Sequence, residues 1–82
     1  MFTVDLRSDT VTRPSDAMKK AMIESPVGDD VLGDDPTVKR LESVMAERFG
    51  MDGSFFCVSG TQANQLALMS HLSPGDEVLC HP

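Results

Sequence analysis

The sequence predicts an α/β fold: an extended arm, then helix, helix, strand, helix, strand. Three observations carry that prediction. Two stretches repeat apolar residues at helical spacing, with Ala17, Met18, Ala21 and Met22 in the first and Val38, Leu41, Val44, Met45 and Phe49 in the second. Phe55, Phe56, Cys57 and Val58 favour a pleated, buried conformation, and they run straight through Ser59-Gly60-Thr61 into the helix formers that begin at Gln62. A further strand-like stretch, Asp76 to Cys80, follows that helix, and a helix crossing over between two strands makes the pair parallel.

Taken in order, residues 2–13 are polar and hydroxyl-rich. Phe2, Val4 and Leu6 alternate, but Ser8-Asp9-Thr10 breaks the pattern, so the segment reads as an extended arm. Helix one is expected from Pro14 or Ser15 to Ile23 or Glu24, with Lys19 and Lys20 facing water. The loop over 25–37 is punctuated by Pro26, Gly28 and Gly33, and its repeated GDD brings Asp29, Asp30, Asp34 and Asp35 together in sequence. These carboxylates read as a solvated and capping loop rather than a metal site, and no metal is expected. The spacing is not that of an EF-hand and no histidine is near. Asp35 suits an N-cap, with Pro36 at the first helical position.

Helix two is expected from Pro36 to about Phe49, where Gly50 is a natural stop, with its apolar stripe buried. Met51-Asp52-Gly53 turns into a strand over 54–58. Helix three carries Ala63, Leu66, Ala67, Leu68, Met69 and Leu72 as a broad apolar surface and ends at Ser73-Pro74-Gly75. A two-stranded parallel sheet cannot cover both of its faces. The expectation is therefore that residues 1–82 form the first part of a larger domain.

Composition narrows the function classes. A chain of 82 residues has room for one small domain. A net charge of −6, with no Trp or Tyr, argues against a nucleic-acid groove, a base-stacking platform or an anionic membrane surface as partner. Asp5, Arg7 and Asp9 exclude a secretory apolar region at the N-terminus, and no apolar run has the length to cross a bilayer. A cytoplasmic location is expected. Cys57 and Cys80 lack C-x-x-C spacing and are read as free, buried thiols in a reducing compartment.

The corner at Ser59-Gly60-Thr61 holds the chemistry. At the start of a helix the first N–H groups have no partners within the helix, and the dipole leaves partial positive charge there. Gly60 lets a ligand approach the backbone, and Ser59 and Thr61 add hydroxyl donors, so the corner suits a phosphate. An ordinary N-cap uses the same residue types without any ligand. The corner matches none of G-x-x-x-x-G-K-[ST], G-x-G-x-x-G or G-x-S-x-G, since Cys57 stands where the last would need its first glycine. Both readings stay open on these residues alone.

Three stretches, DLRSDTVTRPS at 5–15, VGDDVLGDDPTV at 27–38 and SGTQANQLAL at 59–68, closely resemble the N-terminal portion of threonine aldolases. These belong to the β-eliminating lyase and threonine aldolase group of fold-type-I pyridoxal-phosphate enzymes. The resemblance spans nearly the whole chain, and the DLRSDTVT stretch is its most specific part. It implies that residues 1–82 are the N-terminal arm and the start of the large cofactor-binding domain. It also implies pyridoxal 5'-phosphate as cofactor, and a homotetramer or homodimer with active sites between subunits. The activity implied is retro-aldol cleavage of L-threonine, L-allo-threonine or other β-hydroxy amino acids to glycine and an aldehyde.

Carried over by position, Ser59, Gly60 and Thr61 would hold the cofactor phosphate, and Ser8 would contact the substrate carboxylate. Leu32 stands where many members have tyrosine. No catalytic residue is expected within 1–82. Lys19, Lys20 and Lys39 read as surface charges, His71 as a helix-end residue, and the ring that stacks on the cofactor as lying past His81-Pro82. Two rival readings remain. One keeps the fold but changes the reaction to that of a β-eliminating lyase, aminotransferase or desulfurase. The other is a small non-catalytic anion-binding α/β module.

Overall fold

The structure, a computed structural model, describes residues 4–82. The Phe2 position of the alternating arm pattern lies outside the described residues. The chain divides into two units, Met1–Lys39 and Arg40–Pro82.

In the first unit the arm bends rather than running straight. A single 3₁₀ turn spans Asp9–Val11, with Ser8 as its N-cap. Ahead of it, Arg7 Nε donates to Asp5 Oδ1 at 2.8 Å, and a second guanidinium nitrogen donates to Asp5 Oδ2. The Arg7 side chain, helped by the Arg7 backbone N–H, holds the Asp5 carboxyl below the ordinary aspartate range. Helix α1 spans Asp16–Glu24, one or two residues inside the expected start. Ser15 caps it: its Oγ accepts from Met18 N at 3.2 Å, while Ser15 N donates to the Met18 sulfur at 3.4 Å.

The acidic loop is tied to itself. Asp29 Oδ1 accepts from Val31 N at 2.9 Å, and the Asp29 carbonyl accepts from Asp34 N at 2.8 Å. The turn closes through Gly33, whose φ of 69° lies in the left-handed region that glycine tolerates. Thr37 Oγ1 donates to the Pro26 carbonyl at 2.6 Å, closing the loop base. Asp35 caps helix α2 as expected, its Oδ1 accepting from Thr37 N at 2.9 Å and Val38 N at 3.1 Å.

Helix α2 spans Pro36–Phe49, the expected bounds. Gly50, at φ 63°, stops it with paired bonds from Gly50 N to the Glu47 carbonyl and from Met51 N to the Ala46 carbonyl. These two bonds satisfy carbonyls that the helix end would otherwise leave open. Helix α3 spans Gly60–His71. It ends where expected: Asp76 N donates to the Ser73 carbonyl at 3.0 Å, and Gly75, at φ 100°, occupies the third position of that turn.

Three expectations are corrected. Residues 54–58 and 76–80 are not in strands, and no ladder forms among the described residues. A strand is defined by bonds to a neighbour, and neither stretch finds one here. The stripe on α2 is not buried. Val38 is half-buried, but Leu41, Val44, Met45 and Phe49 are exposed, Phe49 at 66%. No side chain among the described residues is fully buried, because α2 and α3 do not pack on each other and segment 54–58 leaves the α2 stripe mostly open. The thiols are free but not buried: Cys57 is half-buried and Cys80 exposed.

Candidate functional site

The corner lies in the second unit, and its local sequence explains its geometry. Ser59 is extended, at φ −156° and ψ 160°, and its Oγ accepts from Gln62 N at 3.1 Å. The Ser59 carbonyl takes the next N–H, from Ala63, at 3.1 Å. Among the described residues, no acceptor meets Gly60 N or Thr61 N. The Thr61 hydroxyl makes no bond to the described residues either, and the Ser59 hydroxyl, having accepted from Gln62, keeps its proton for a further acceptor.

A Cβ built on Gly60 would meet nothing within 4 Å, and its φ is not among the positive ones. Nothing among the described residues therefore demands glycine at this position. No carboxylate occupies the first turn of α3, whereas Asp16 occupies that of α1. Two open backbone donors, two hydroxyls, an open cradle and no acid in the first turn fit a phosphate group.

The remaining sequence-predicted residues fall elsewhere. Ser8 lies in the first unit, where its Oγ accepts from Thr10 N at 3.2 Å and from the Thr10 hydroxyl at 2.9 Å. It donates to Asp9 Oδ1 at 3.2 Å, so its hydroxyl is engaged within the arm. Lys19 pairs with Asp16 at 3.6 Å and Lys20 with Glu24 at 3.8 Å, both on the surface of α1. Lys39 is exposed. His71 closes the last turn of α3, eleven residues from Gly60. At 1.5 Å per residue that is roughly 16 Å from the corner. Leu32 is exposed within the Gly33 turn.

Two residues were missed by the sequence reading. Gln62 Oε1 accepts from Val58 N at 2.8 Å, and Glu42 Oε1 accepts from Phe56 N at 2.9 Å. The S-x-x-Q spacing of Ser59 and Gln62, a capping-box signature, was the available signal for the first. Nothing local signals the second, since Glu42 reaches a partner fourteen residues away. Segment 54–58 also borders two open apolar grooves. One, of about 460 Å³, includes Leu41, Met45, Phe49 and Phe55; the other, of about 490 Å³, includes Cys57, Ala63, Leu66 and Ala67. Neither contains a residue of the corner.

The profile of the Beta-eliminating lyase family matches residues 5–82. The chain belongs to this family. Membership carries the fold-type-I class that the resemblance implied, in a family generally dependent on pyridoxal 5'-phosphate. The chain is 57% identical over 76 residues to the low specificity L-threonine aldolase of Escherichia coli strain K12, covering 93% of this chain and 23% of that protein. It is 51% identical over 86 residues to low-specificity L-threonine aldolase 1 of Arabidopsis thaliana, covering 99% of this chain and 24% of that one. With the low specificity L-threonine aldolase of Saccharomyces cerevisiae the identity is 46%, over 93% of this chain and 20% of the relative. The chain thus spans about a fifth to a quarter of the length of these curated relatives. No solved structure matches it. Among the described residues no helix is long and apolar enough to cross a membrane.

Proposed function

We propose that residues 1–82 act as the arm and the start of the large domain of a cytoplasmic, pyridoxal-phosphate-dependent threonine aldolase. In its full-length form the enzyme cleaves L-threonine or L-allo-threonine to glycine and an aldehyde. The observation that carries this reading is the corner in a chain so similar to named threonine aldolases. Among the described residues, Gly60 N and Thr61 N are left without acceptors at a helix start that holds no acid.

In this reading Gly60 N, Thr61 N and the hydroxyls of Ser59 and Thr61 hold the cofactor phosphate. The open space over Gly60 admits it close to the backbone. When bound, the cofactor supplies an electron sink for the carbanion left by Cα–Cβ cleavage. Ser8 turns its hydroxyl from Asp9 to the substrate carboxylate and so helps to set which substrate bond stands ready to break. The lysine that bonds the cofactor is none of Lys19, Lys20 and Lys39, which act as surface charges. The active sites lie between subunits of a homotetramer or homodimer.

The test is product analysis of the full-length protein loaded with pyridoxal phosphate. Glycine and acetaldehyde from threonine, with no keto acid from cysteine or tryptophan, support the aldolase. Keto acid from cysteine or tryptophan, with threonine untouched, would replace it with the β-elimination that the family's name describes.

A further inference from the structure

Segment 54–58 delivers the corner, and it is held by two side chains rather than by a neighbouring strand. Phe56 N donates to Glu42 Oε1 on α2 at 2.9 Å, and Val58 N donates to Gln62 Oε1 on α3 at 2.8 Å. Ser54 Oγ adds a bond to the Glu42 carbonyl at 2.5 Å, so Glu42 grips the segment twice. The two bonded N–H groups are two residues apart, so the last residues before Ser59 are tied at two points, one to each flanking helix. Both Glu42 and Gln62 are half-buried in a unit whose residues are mostly exposed. Gln62 is doubly placed, since its own N–H donates to Ser59 Oγ while its carboxamide oxygen reaches back past Ser59 to Val58.

The choice of side chain at 62 is informative. At the third position of a helix an acid is favoured, because it caps and sits in the positive end of the dipole. Glutamine supplies the same acceptor oxygen without a charge that would compete with an anion for Gly60 N and Thr61 N. At position 42, which holds Phe56 rather than the helix start, a carboxylate serves.

We infer that Glu42 and Gln62 are positioning residues of the anion corner. Each fixes a backbone N–H of the segment that sets the direction of Ser59, Gly60 and Thr61, and Gln62 does so while keeping the helix start free of negative charge. This rests on the reading of the corner as the phosphate site.

The experiment measures binding of pyridoxal phosphate and of inorganic phosphate to the full-length apoprotein, together with amide exchange at Phe56 and Val58. Glu42→Leu should weaken both ligands about three- to tenfold and speed exchange at Phe56, as loss of one hydrogen bond predicts. Glu42→Gln, which keeps an acceptor oxygen, should restore both. Gln62→Glu should keep slow exchange at Val58 and an unchanged or higher melting temperature. It should nevertheless weaken both ligands about two- to fivefold at low salt, an effect that shrinks as salt is added. A purely structural role would not produce that last combination. Wild-type affinity in Glu42→Leu, or in Gln62→Glu at low salt, would overturn the inference for that residue. Failure of Glu42→Gln to rescue would overturn the hydrogen-bond role of Glu42. Thr61→Val separates the two levels: unchanged affinity there would remove the corner reading itself, and with it this inference.

Discussion

The acidic loop at 26–37 and the corner at 58–62 solve the same local problem in opposite ways. Each leads the chain into a helix, and each uses a glycine and a side-chain oxygen to do so. In the loop every device is turned inward. Asp35 accepts from Thr37, Val38 and Gly28, Thr37 closes onto Pro26, and Asp29 holds its own turn. Gly28 is glycine for an internal reason, since a Cβ there would stand 2.7 Å from the carbonyl carbon of Asp34 and closer still to its oxygen. At the corner Ser59 and Gln62 satisfy one N–H each, while Gly60 N and Thr61 N stay open and a Cβ on Gly60 would touch nothing. A glycine that its own backbone explains is structural. One with open space over it leaves room for a ligand to approach.

Removing an outward donor is the largest expected effect. In the full-length protein, Thr61→Val should weaken pyridoxal phosphate roughly ten- to hundred-fold, the loss of about 1.5–3 kcal/mol for a bond to a charged group. Stability of the apoprotein should hold, because the hydroxyl has no partner among the described residues. Titration of the apoprotein measures the first and thermal unfolding the second; unchanged affinity would make the corner as inward-looking as the loop. The converse change is Gly28→Ala. It should cost about 1–3 kcal/mol of stability, as overpacking does, and leave cofactor affinity alone. Denaturant unfolding would reveal it, and a neutral result would show that the loop backbone yields freely.

Ser8 sharpens the comparison, because its hydroxyl is now turned inward to Asp9. Ser8→Ala should raise the KM for threonine by at least about tenfold with the cofactor's absorbance unchanged, as the lower bound of about 1.5 kcal/mol for a bond to a charged group predicts. A variant that loses cofactor but keeps KM would contradict the carboxylate role, and one that changes neither would leave Ser8 as a cap of its own turn.

The smallest effect concerns acid. The backbone N–H of Val38, with those of Gly28 and Thr37, holds the Asp35 carboxyl below the ordinary aspartate range, against a smaller opposing effect of desolvation. A carboxyl with a lowered folded pKa adds stability that is complete above its unfolded pKa and fades as pH falls through the folded value. Protection of the Val38 amide should therefore decline from roughly pH 4 downward. In Asp35→Asn, which still caps but cannot titrate, that decline should flatten; an identical profile would assign the acid sensitivity to another group.

Helix boundaries were legible because their signals are local. Ser15, Asp35, Pro36, Gly50 and Ser73-Pro74-Gly75 each act within a few residues, through caps and left-handed turns that need no distant partner. The corner and its candidate phosphate donors were legible for the same reason. Local side-chain chemistry is therefore enough to set where the chain starts and stops its helices and which donors it leaves open. Strand pairing, the burial of Leu41 and Phe49, and the grip of Glu42 on Phe56 depend on what meets what across the chain. No local pattern specifies those, since a ladder needs a neighbouring edge and a core needs a covering face. Gln62 lies between the two: its spacing from Ser59 is written in the sequence, but its hold on Val58 appears only once the turn is folded.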